Sequence, residues 1–201
     1  MKQCIIQKIT ITTLFAAGIF SLTSCNKNDN NHLDFGYNYI YVPQSLQSGG
    51  INLNYLVPNP NDVNVATQNY MIDTAGNRLD VILGVARSGM QAGNAFTVNV
   101  QTNPDTINEA IANNLLQVSP NQGDSVVLLQ DKAYTLPSTV SVPEGQTSTT
   151  FLLSIDIDQL KALSGKKAAL AVSISGPSKY KLNTAQSEVI ILIDVNTLNL
   201  P

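Results

Sequence analysis

The sequence predicts an all-β fold, an immunoglobulin-like two-sheet sandwich with one or two short helices. Seven or eight short β-rich runs recur along the chain, separated by regular turn signals of Gly, Pro and Asn. Charged residues make up only 12% of the 201 residues, while Asn, Gln, Ser and Thr are abundant. This composition is typical of a hydroxyl- and amide-rich β surface rather than of a helical bundle. Trp is absent, so the prediction concerns the architecture and not membership among true immunoglobulin domains.

The first strand is predicted at residues 37–42, where Tyr37, Tyr39 and Tyr41 alternate with other residues and therefore share one face. Pro43 ends this strand or marks an edge. Residues 44–62 are predicted to form hairpin-like strands with long loops. Further strands are predicted at residues 79–86, 95–101, 126–129, 139–142, 149–155, 168–174 and 188–195. The last of these is apolar on both faces, which indicates a strand in the interior of a sheet.

Two short helices interrupt the strands. Residues 104–116 change from a period of two to a period of four, with Ile107, Ile111 and Leu115 on one side, Asn103 as a cap and Pro at the first helical position. A second helical turn is predicted at residues 159–163, capped by Asp158 and ended by Gly165.

The pattern of residues at the amino terminus indicates a processing signal. Lys2 and Lys8 precede a short apolar stretch over residues 9–22, which leads to the run Leu22-Thr23-Ser24-Cys25. The stretch is too short and too rich in Thr to cross a bilayer, which needs about 20 apolar residues. A plain secretory signal would not need a cysteine at the cleavage site. The run therefore predicts a lipoprotein signal peptide, cleaved before Cys25, which then becomes the acylated (palmitate-type) anchor.

These boundaries predict three parts: a signal peptide over residues 1–24, the lipidated Cys25 with a flexible tether over residues 25–34, and a single β-sandwich domain over residues 35–201. Cleavage would leave 177 residues with 9 basic and 14 acidic side chains, and hence a net charge of −5. No basic cluster larger than Lys166-Lys167 remains, which argues against nucleic acid as a partner.

The usual catalytic constellations are not recognisable. A serine triad needs a histidine as base, but the only histidine, His32, lies in the predicted tether. Zinc would need His or Cys ligands that the domain does not supply, so neither a metal nor a cofactor is expected. Asp156-Ile157-Asp158 could form a calcium corner, but a strand end followed by a helix cap is the favoured interpretation. No pair of carboxylates stands out for glycosidase chemistry, and we expect a protein that is not an enzyme.

Carbohydrate binding usually relies on exposed aromatic rings beside amides and carboxylates, because sugars present apolar C–H faces and hydroxyl rims. Without Trp, tyrosine has to fill that role, so Tyr37, Tyr39 and Tyr41 are the candidate ligand-binding residues. The alternative is that about half of the tyrosines in this part of the chain pack on the core or on an edge.

Several short motifs resemble a family. Arg87-Ser88-Gly89, residues 96–100, Val142-Pro143-Glu144-Gly145 and residues 179–183 follow one another in an order similar to that of a Bacteroidetes domain-of-unknown-function family. That family occurs at the N-terminus of lipoproteins in polysaccharide-utilisation and surface-glycan systems. The resemblance implies a β-sandwich without established catalytic residues. Longer relatives carry a lectin-like or hydrolase domain after this one, whereas this sequence stops at Pro201, which is a further reason to expect no enzymatic role.

Three tripeptides that begin at Asp73, Asp105 and Asp124 resemble the O-glycosylation acceptor pattern of exported Bacteroidetes proteins. Their candidate acceptors are Thr74, Thr106 and Ser125, and the alternative is an ordinary loop turn. The expected function is that of a cell-envelope lipoprotein that binds glycan or assists polysaccharide-uptake proteins. A structural, adhesion or protein-interaction module without sugar binding is the alternative. The outer membrane is favoured over the inner one, and the leaflet stays open.

Overall fold

The computed structural model describes residues 38–47, 54–59, 68–89, 93–116 and 125–201. Cys25, His32 and Tyr37 lie outside these residues, so their predicted roles are not addressed by the fold. The described chain forms two β-sheets with a few short helices, which confirms the predicted all-β sandwich.

The strands are β1 (Tyr39–Tyr41), β2 (Asn54–Val57), β3 (Tyr70–Asp73), β4 (Arg78–Arg87), β5 (Phe96–Thr102), β6 (Ser125–Leu128), β7 (Tyr134–Thr135), β8 (Thr139–Val142), β9 (Ser148–Asp156), β10 (Lys166–Ser175), β11 (Lys181–Leu182) and β12 (Glu188–Asp194). The helices are α1 (Gln44–Gln47), α2 (Pro104–Ala112) and α3 (Ile157–Lys161).

The first sheet has the order β11-β1-β4-β9-β7, with β3 paired to β4 beside β1. The second sheet has the order β2-β12-β10-β5-β8, with β6 paired to β10. Most neighbours are antiparallel, but β1–β11, β2–β12 and β6–β10 are parallel pairs. The last strand, β12, lies between β2 and β10, so its predicted position in the interior of a sheet is confirmed.

The core between the sheets follows directly from period-two patterning. On β5, Phe96, Val98 and Val100 are buried while the residues between them are exposed, as the sequence predicts. On β4, the side chains of Leu79, Val81, Leu83 and Val85 are all fully buried. Because alternate residues point to opposite faces, the even-numbered positions of β4 lie on the outer face of the first sheet.

Helix α2 covers the outer face of the second sheet. Asn103 caps it and Pro104 occupies its first turn, which confirms the predicted start. The helix ends at Ala112, however, and not at residue 116. Asn114 adopts a positive φ of 54°, and this reversal leaves Leu115 57% exposed while Leu116 is buried. The predicted stripe is therefore wrong at Leu115.

The second helix is also displaced from its prediction. α3 begins at Ile157 because Ile157 and Leu160, three residues apart, are both fully buried. The cap is Asp156, whose Oδ1 accepts hydrogen bonds from the N–H groups of Asp158 (2.8 Å) and Gln159 (3.1 Å). The predicted cap, Asp158, is wrong. Its Oδ2 instead accepts a hydrogen bond from Asn77 Nδ2 at 3.0 Å.

Candidate functional site

Two of the three candidate tyrosines stand on the outer face of the first sheet. On β1, Ile40 is fully buried and Val42 is 1% exposed. Tyr39 and Tyr41, which alternate with them, are half-buried and point away from the core. The shared face that the sequence predicts is therefore observed for these two rings. We call the surface formed by Tyr39, Tyr41, Ala86, Thr150, Lys181 and Asn183 the tyrosine face.

Strand β1 is held on both sides. Its register on β4 pairs Tyr41 with Ala86, and the N–H of Ser88 donates to the carbonyl of Tyr39 at 2.8 Å. On its other side β1 pairs in parallel with β11, where Tyr39 lies opposite Lys181. A strand with neighbours on both sides presents its rings at fixed positions, which a binding surface needs.

Small residues lie beside the tyrosines. Ala86 is opposite Tyr41, and Gly84 follows two residues along the same face of β4. Where β1 ends, Gln44 Oε1 accepts the N–H of Gly84 at 3.1 Å, so the β4 backbone has a hydrogen-bond partner there. A Cβ on Gly84 would lie 3.3 Å from the carbonyl oxygen of Thr149 and 3.6 Å from Pro43 Cγ, so this position is already occupied. Gly84 and Ala86 are both buried, so neighbouring residues cover this part of the outer face.

Hydroxyl groups lie next to this part of the outer face. On β9, Phe151, Leu153 and Ile155 are buried, so the intervening positions face outward. The register of β4 on β9 places Thr150 opposite Gly84 and Ser148 opposite Ala86, and both are exposed. The outer surface near the rings thus combines aromatic area with hydroxyl donors and acceptors.

A buried arginine, Arg87, lies at the end of β4 opposite Ile40 of β1. Arg87 is 5% exposed, its Nη1 donates to Asn38 Oδ1 at 2.7 Å, and its guanidinium lies 5.2 Å from the ring centroid of Tyr180. Tyr180 in turn packs edge-on against Phe96 at 5.6 Å between ring centroids. The sequence patterns considered above do not predict this cluster. The sequence does contain a signal for it, because Arg87 continues the alternation of the inward-facing apolar residues of β4.

The remaining described tyrosines serve the core. Tyr55 is 8% exposed, and its hydroxyl donates to the carbonyl of Ile82 at 3.4 Å. Tyr70, Tyr134 and Tyr180 pack against the main hydrophobic cluster. Burial is the first cause that raises the pKa of Tyr134. Among the described tyrosines, the outward pair on β1 is therefore distinct from the others.

The candidate O-glycosylation residues fall in three different environments. Thr74 is exposed in the β3–β4 turn, and Ser125 is exposed at the start of β6. Thr106 is half-buried in the first turn of α2, and its hydroxyl donates to Glu188 Oε1 at 3.0 Å. The turn that carries Thr74 is braced by Asp73, which pairs with Arg78 at 2.9 Å. The N–H of Gly76 and, next, the side chain of Arg78 hold the pKa of Asp73 below its usual value.

The carboxylates are dispersed. Asp80 is 7% exposed on the outer face of β4, where it accepts a hydrogen bond from Ser154 Oγ at 2.5 Å. Asp156 and Asp158 act in the α3 cap and the contact with Asn77 described above. Across the ranges that the structure describes, no three His, Cys, Asp or Glu side chains are grouped so that they could hold a metal ion.

A protein-family model described as "-like, N-terminal domain" matches residues 37–181. A Bacteroides ovatus structure of unknown function is similar, with a TM-score of 0.52 at 16% identity over 77% of this chain and 46% of that chain. Another from Bacteroides ovatus, described as a "putative carbohydrate binding protein", has a TM-score of 0.44 at 14% identity over 70% of this chain and 34% of that one.

An auxiliary nutrient binding protein from Bacteroides thetaiotaomicron has a TM-score of 0.41 at 19% identity over 62% of this chain and 41% of that one. This chain thus spans less than half of each of these three structures. No curated protein matches it in sequence.

Among the described residues, no helix is both long and apolar enough to span a bilayer.

Proposed function

Because this chain belongs to the family described as "-like, N-terminal domain", we propose that it is a non-enzymatic accessory module of the cell envelope that binds glycan through its tyrosine face. The observation that carries the proposal is the outward orientation of Tyr39 and Tyr41 on β1, since the other described tyrosines belong to the core. Aromatic rings stack on the apolar C–H faces of sugars, while hydroxyl and amide groups bind the rim.

The dimensions of the tyrosine face suit a short stretch of glycan. Outward side chains two residues apart on a strand are about 7 Å apart, so a single oligosaccharide can contact both rings. Thr150 lies opposite Gly84 on β9 and offers a hydroxyl. Asn183 follows β11, and its Nδ2 donates to Gln186 Oε1 at 2.7 Å.

The predicted lipoprotein signal would place this surface at a membrane. Acylation at Cys25 would hold the protein at a membrane, and 13 residues separate that cysteine from Tyr39. An extended chain spans about 3.4 Å per residue, so the tyrosine face can lie at most roughly 50 Å from the anchor. A glycan-binding face within that reach would collect polysaccharide close to outer-membrane uptake proteins. Its partners are then the membrane, through the lipid, and glycan or uptake proteins.

Affinity gel electrophoresis against a panel of soluble polysaccharides tests the binding. We expect one or more polymers to retard the protein, and Tyr39→Ala and Tyr41→Ala each to weaken retardation about threefold to tenfold, because one aromatic contact is lost. Met71→Ala is the matched control, since Met71 is 49% exposed on β3, away from the tyrosine face. If no polymer binds, or if both tyrosine variants bind like the unaltered protein, the proposal is wrong.

The anchor is tested separately. Cys25→Ala should move the protein from the membrane fraction to the soluble fraction of cells, and intact mass should show the loss of acyl chains. A Cys25→Ala protein that stays membrane-bound with an unchanged mass beyond the substitution would contradict lipidation at this residue.

A protein-contact role is the second candidate, and a specific feature favours it. Met71, Ile82 and Leu152 form an apolar strip on the other half of the first sheet's outer face, with Leu152 37% exposed opposite Ile82. If this strip is the functional surface, no polysaccharide should bind. Leu152→Asp, and not Tyr41→Ala, should then abolish cross-linking of the protein to its neighbours in the envelope.

A further inference from the structure

Lys181 is a charged neighbour of the aromatic pair on the tyrosine face. It lies directly opposite Tyr39 in the parallel β1–β11 register. The next residue, Leu182, pairs with the buried Ile40 and packs against the core. Since residues side by side on paired strands share a face, the side chain of Lys181 points outward with the ring of Tyr39.

The backbone that carries Lys181 is immobilised. The N–H of Lys181 donates to the carbonyl of Asn38 at 3.2 Å, and the N–H of Asn183 donates to the carbonyl of Ile40 at 2.8 Å. Tyr180, just before it, is half-buried and contacts Phe96 and Arg87, and its hydroxyl accepts the N–H of Asn94 at 2.8 Å. Lys181 therefore stands at a fixed point beside the rings, although its own side chain is exposed.

The charge of Lys181 is available to a ligand. The ion pairs among the described residues are Arg78–Asp73 and Lys167–Asp194, and neither includes Lys181. The acidic residue on the outer face of β4, Asp80, lies six residues along the strand from Ala86, which corresponds to about 20 Å. Lys181 thus adjoins the aromatic pair while the protein as a whole is acidic.

We infer that the tyrosine face takes a mostly neutral glycan with isolated uronate residues, whose carboxylate contacts Lys181 Nζ while the sugar ring stacks on Tyr39. This inference rests on the proposed function. A single lysine matches a single carboxylate, whereas a densely sulfated chain would need several cations and would be repelled by the acidic protein. The carboxylate of a uronate is attached to the pyranose ring, so both contacts can form at once.

The test compares matched ligands. Glucuronoxylan and partly esterified pectin are run beside the same polymers after chemical reduction of their carboxylates to alcohols, with neutral galactomannan and with dextran sulfate. We expect the purified protein to bind at least one acidic polymer about threefold to fivefold more tightly than its reduced form, as one exposed charge contact allows. The difference should shrink at high salt.

Variants assign the difference to one side chain. Lys181→Gln should bring the acidic polymer down to the affinity of its reduced form and leave the reduced form unchanged. Lys181→Glu should weaken the acidic polymer further. Lys161→Gln is the matched control and should change neither affinity. Lys161 is an exposed lysine in α3, which follows the end of β9 at Asp156, six residues or about 20 Å along that strand from Thr150.

The remaining outcomes separate this inference from the proposed function. If neutral or carboxyl-reduced polymers bind as tightly as acidic ones, the uronate assignment is overturned while glycan binding stands. If Lys181→Gln weakens both forms equally, or if dextran sulfate binds best, the assignment is also overturned. If no polymer in the panel binds, both this inference and glycan binding fail.

Discussion

Removal of the Asp156 carboxylate distinguishes the observed helix cap from the one that the sequence predicts. In Asp156→Ala the N–H groups of Asp158 and Gln159 lose their shared acceptor at the start of α3. Replacement of a capping Asp by Ala costs about 1 kcal/mol. For a domain of this length that loss lowers the midpoint of thermal unfolding by roughly 2–4 °C.

Matched variants sharpen this prediction. Asp156→Asn keeps an acceptor of nearly equal capping strength, so its free energy of unfolding should stay within a few tenths of a kcal/mol of the parent value. Asp158→Ala loses one exposed hydrogen bond to Asn77 and a favourable charge in the first turn, which together contribute about 0.5 kcal/mol. Urea unfolding followed by circular dichroism measures all three variants.

The reasoning is refuted if Asp158→Ala destabilises the protein as much as Asp156→Ala, since Asp158 would then be the cap. The same samples test the calcium corner that the sequence leaves open. If the two carboxylates bound Ca²⁺, millimolar calcium would raise the unfolding midpoint of the parent and not that of the variants. We expect no such difference.

Three further predictions concern stability. Glu188→Ala removes both side-chain hydrogen bonds that join β12 to the start of α2, and should lower the free energy of unfolding in urea by about 1–3 kcal/mol; an unchanged value would show that α2 is held by its apolar face alone. The raised pKa of Tyr134 means that stability should fall as pH rises above about 10, the pKa of the unfolded state, and Tyr134→Phe should flatten that part of the pH profile. Lys167 is 5% exposed and lies 3.4 Å from Asp194, so Asp194→Ala should cost about 2 kcal/mol or more, whereas Lys167→Met should be nearly neutral; equal losses would contradict the role of burial.

The sequence predicted correctly those strands whose position depends mainly on their own pattern of apolar residues. The strands β4, β5, β9, β10 and β12 are long alternating or apolar runs, and the structure contains each within about two residues of its predicted ends. The strands that were not predicted are β3, β7 and β11, of which two are only two residues long. Such short strands owe their conformation to pairing with β1, β4 and β9 rather than to their own pattern.

Some helix boundaries likewise depend on local residues, and others depend on tertiary contacts. Asn103 and Pro104 mark the start of α2 because a cap is a local device. The end of α2 depends on a reversal at Asn114, and the start of α3 depends on which pair of apolar residues reaches the core. Neither choice can be made from local propensity, because both were decided by the space available against the sheets.

The sequence by itself determined the two-sheet β class, the main strands and the tyrosine alternation on β1. These properties follow from the period of the apolar residues and from the turn residues, both of which act over a few neighbouring positions. The tertiary structure decided which tyrosines face solvent and set Lys181 beside Tyr39, 142 residues apart in the chain. That juxtaposition depends on strand pairing between distant segments, and no local pattern encodes it.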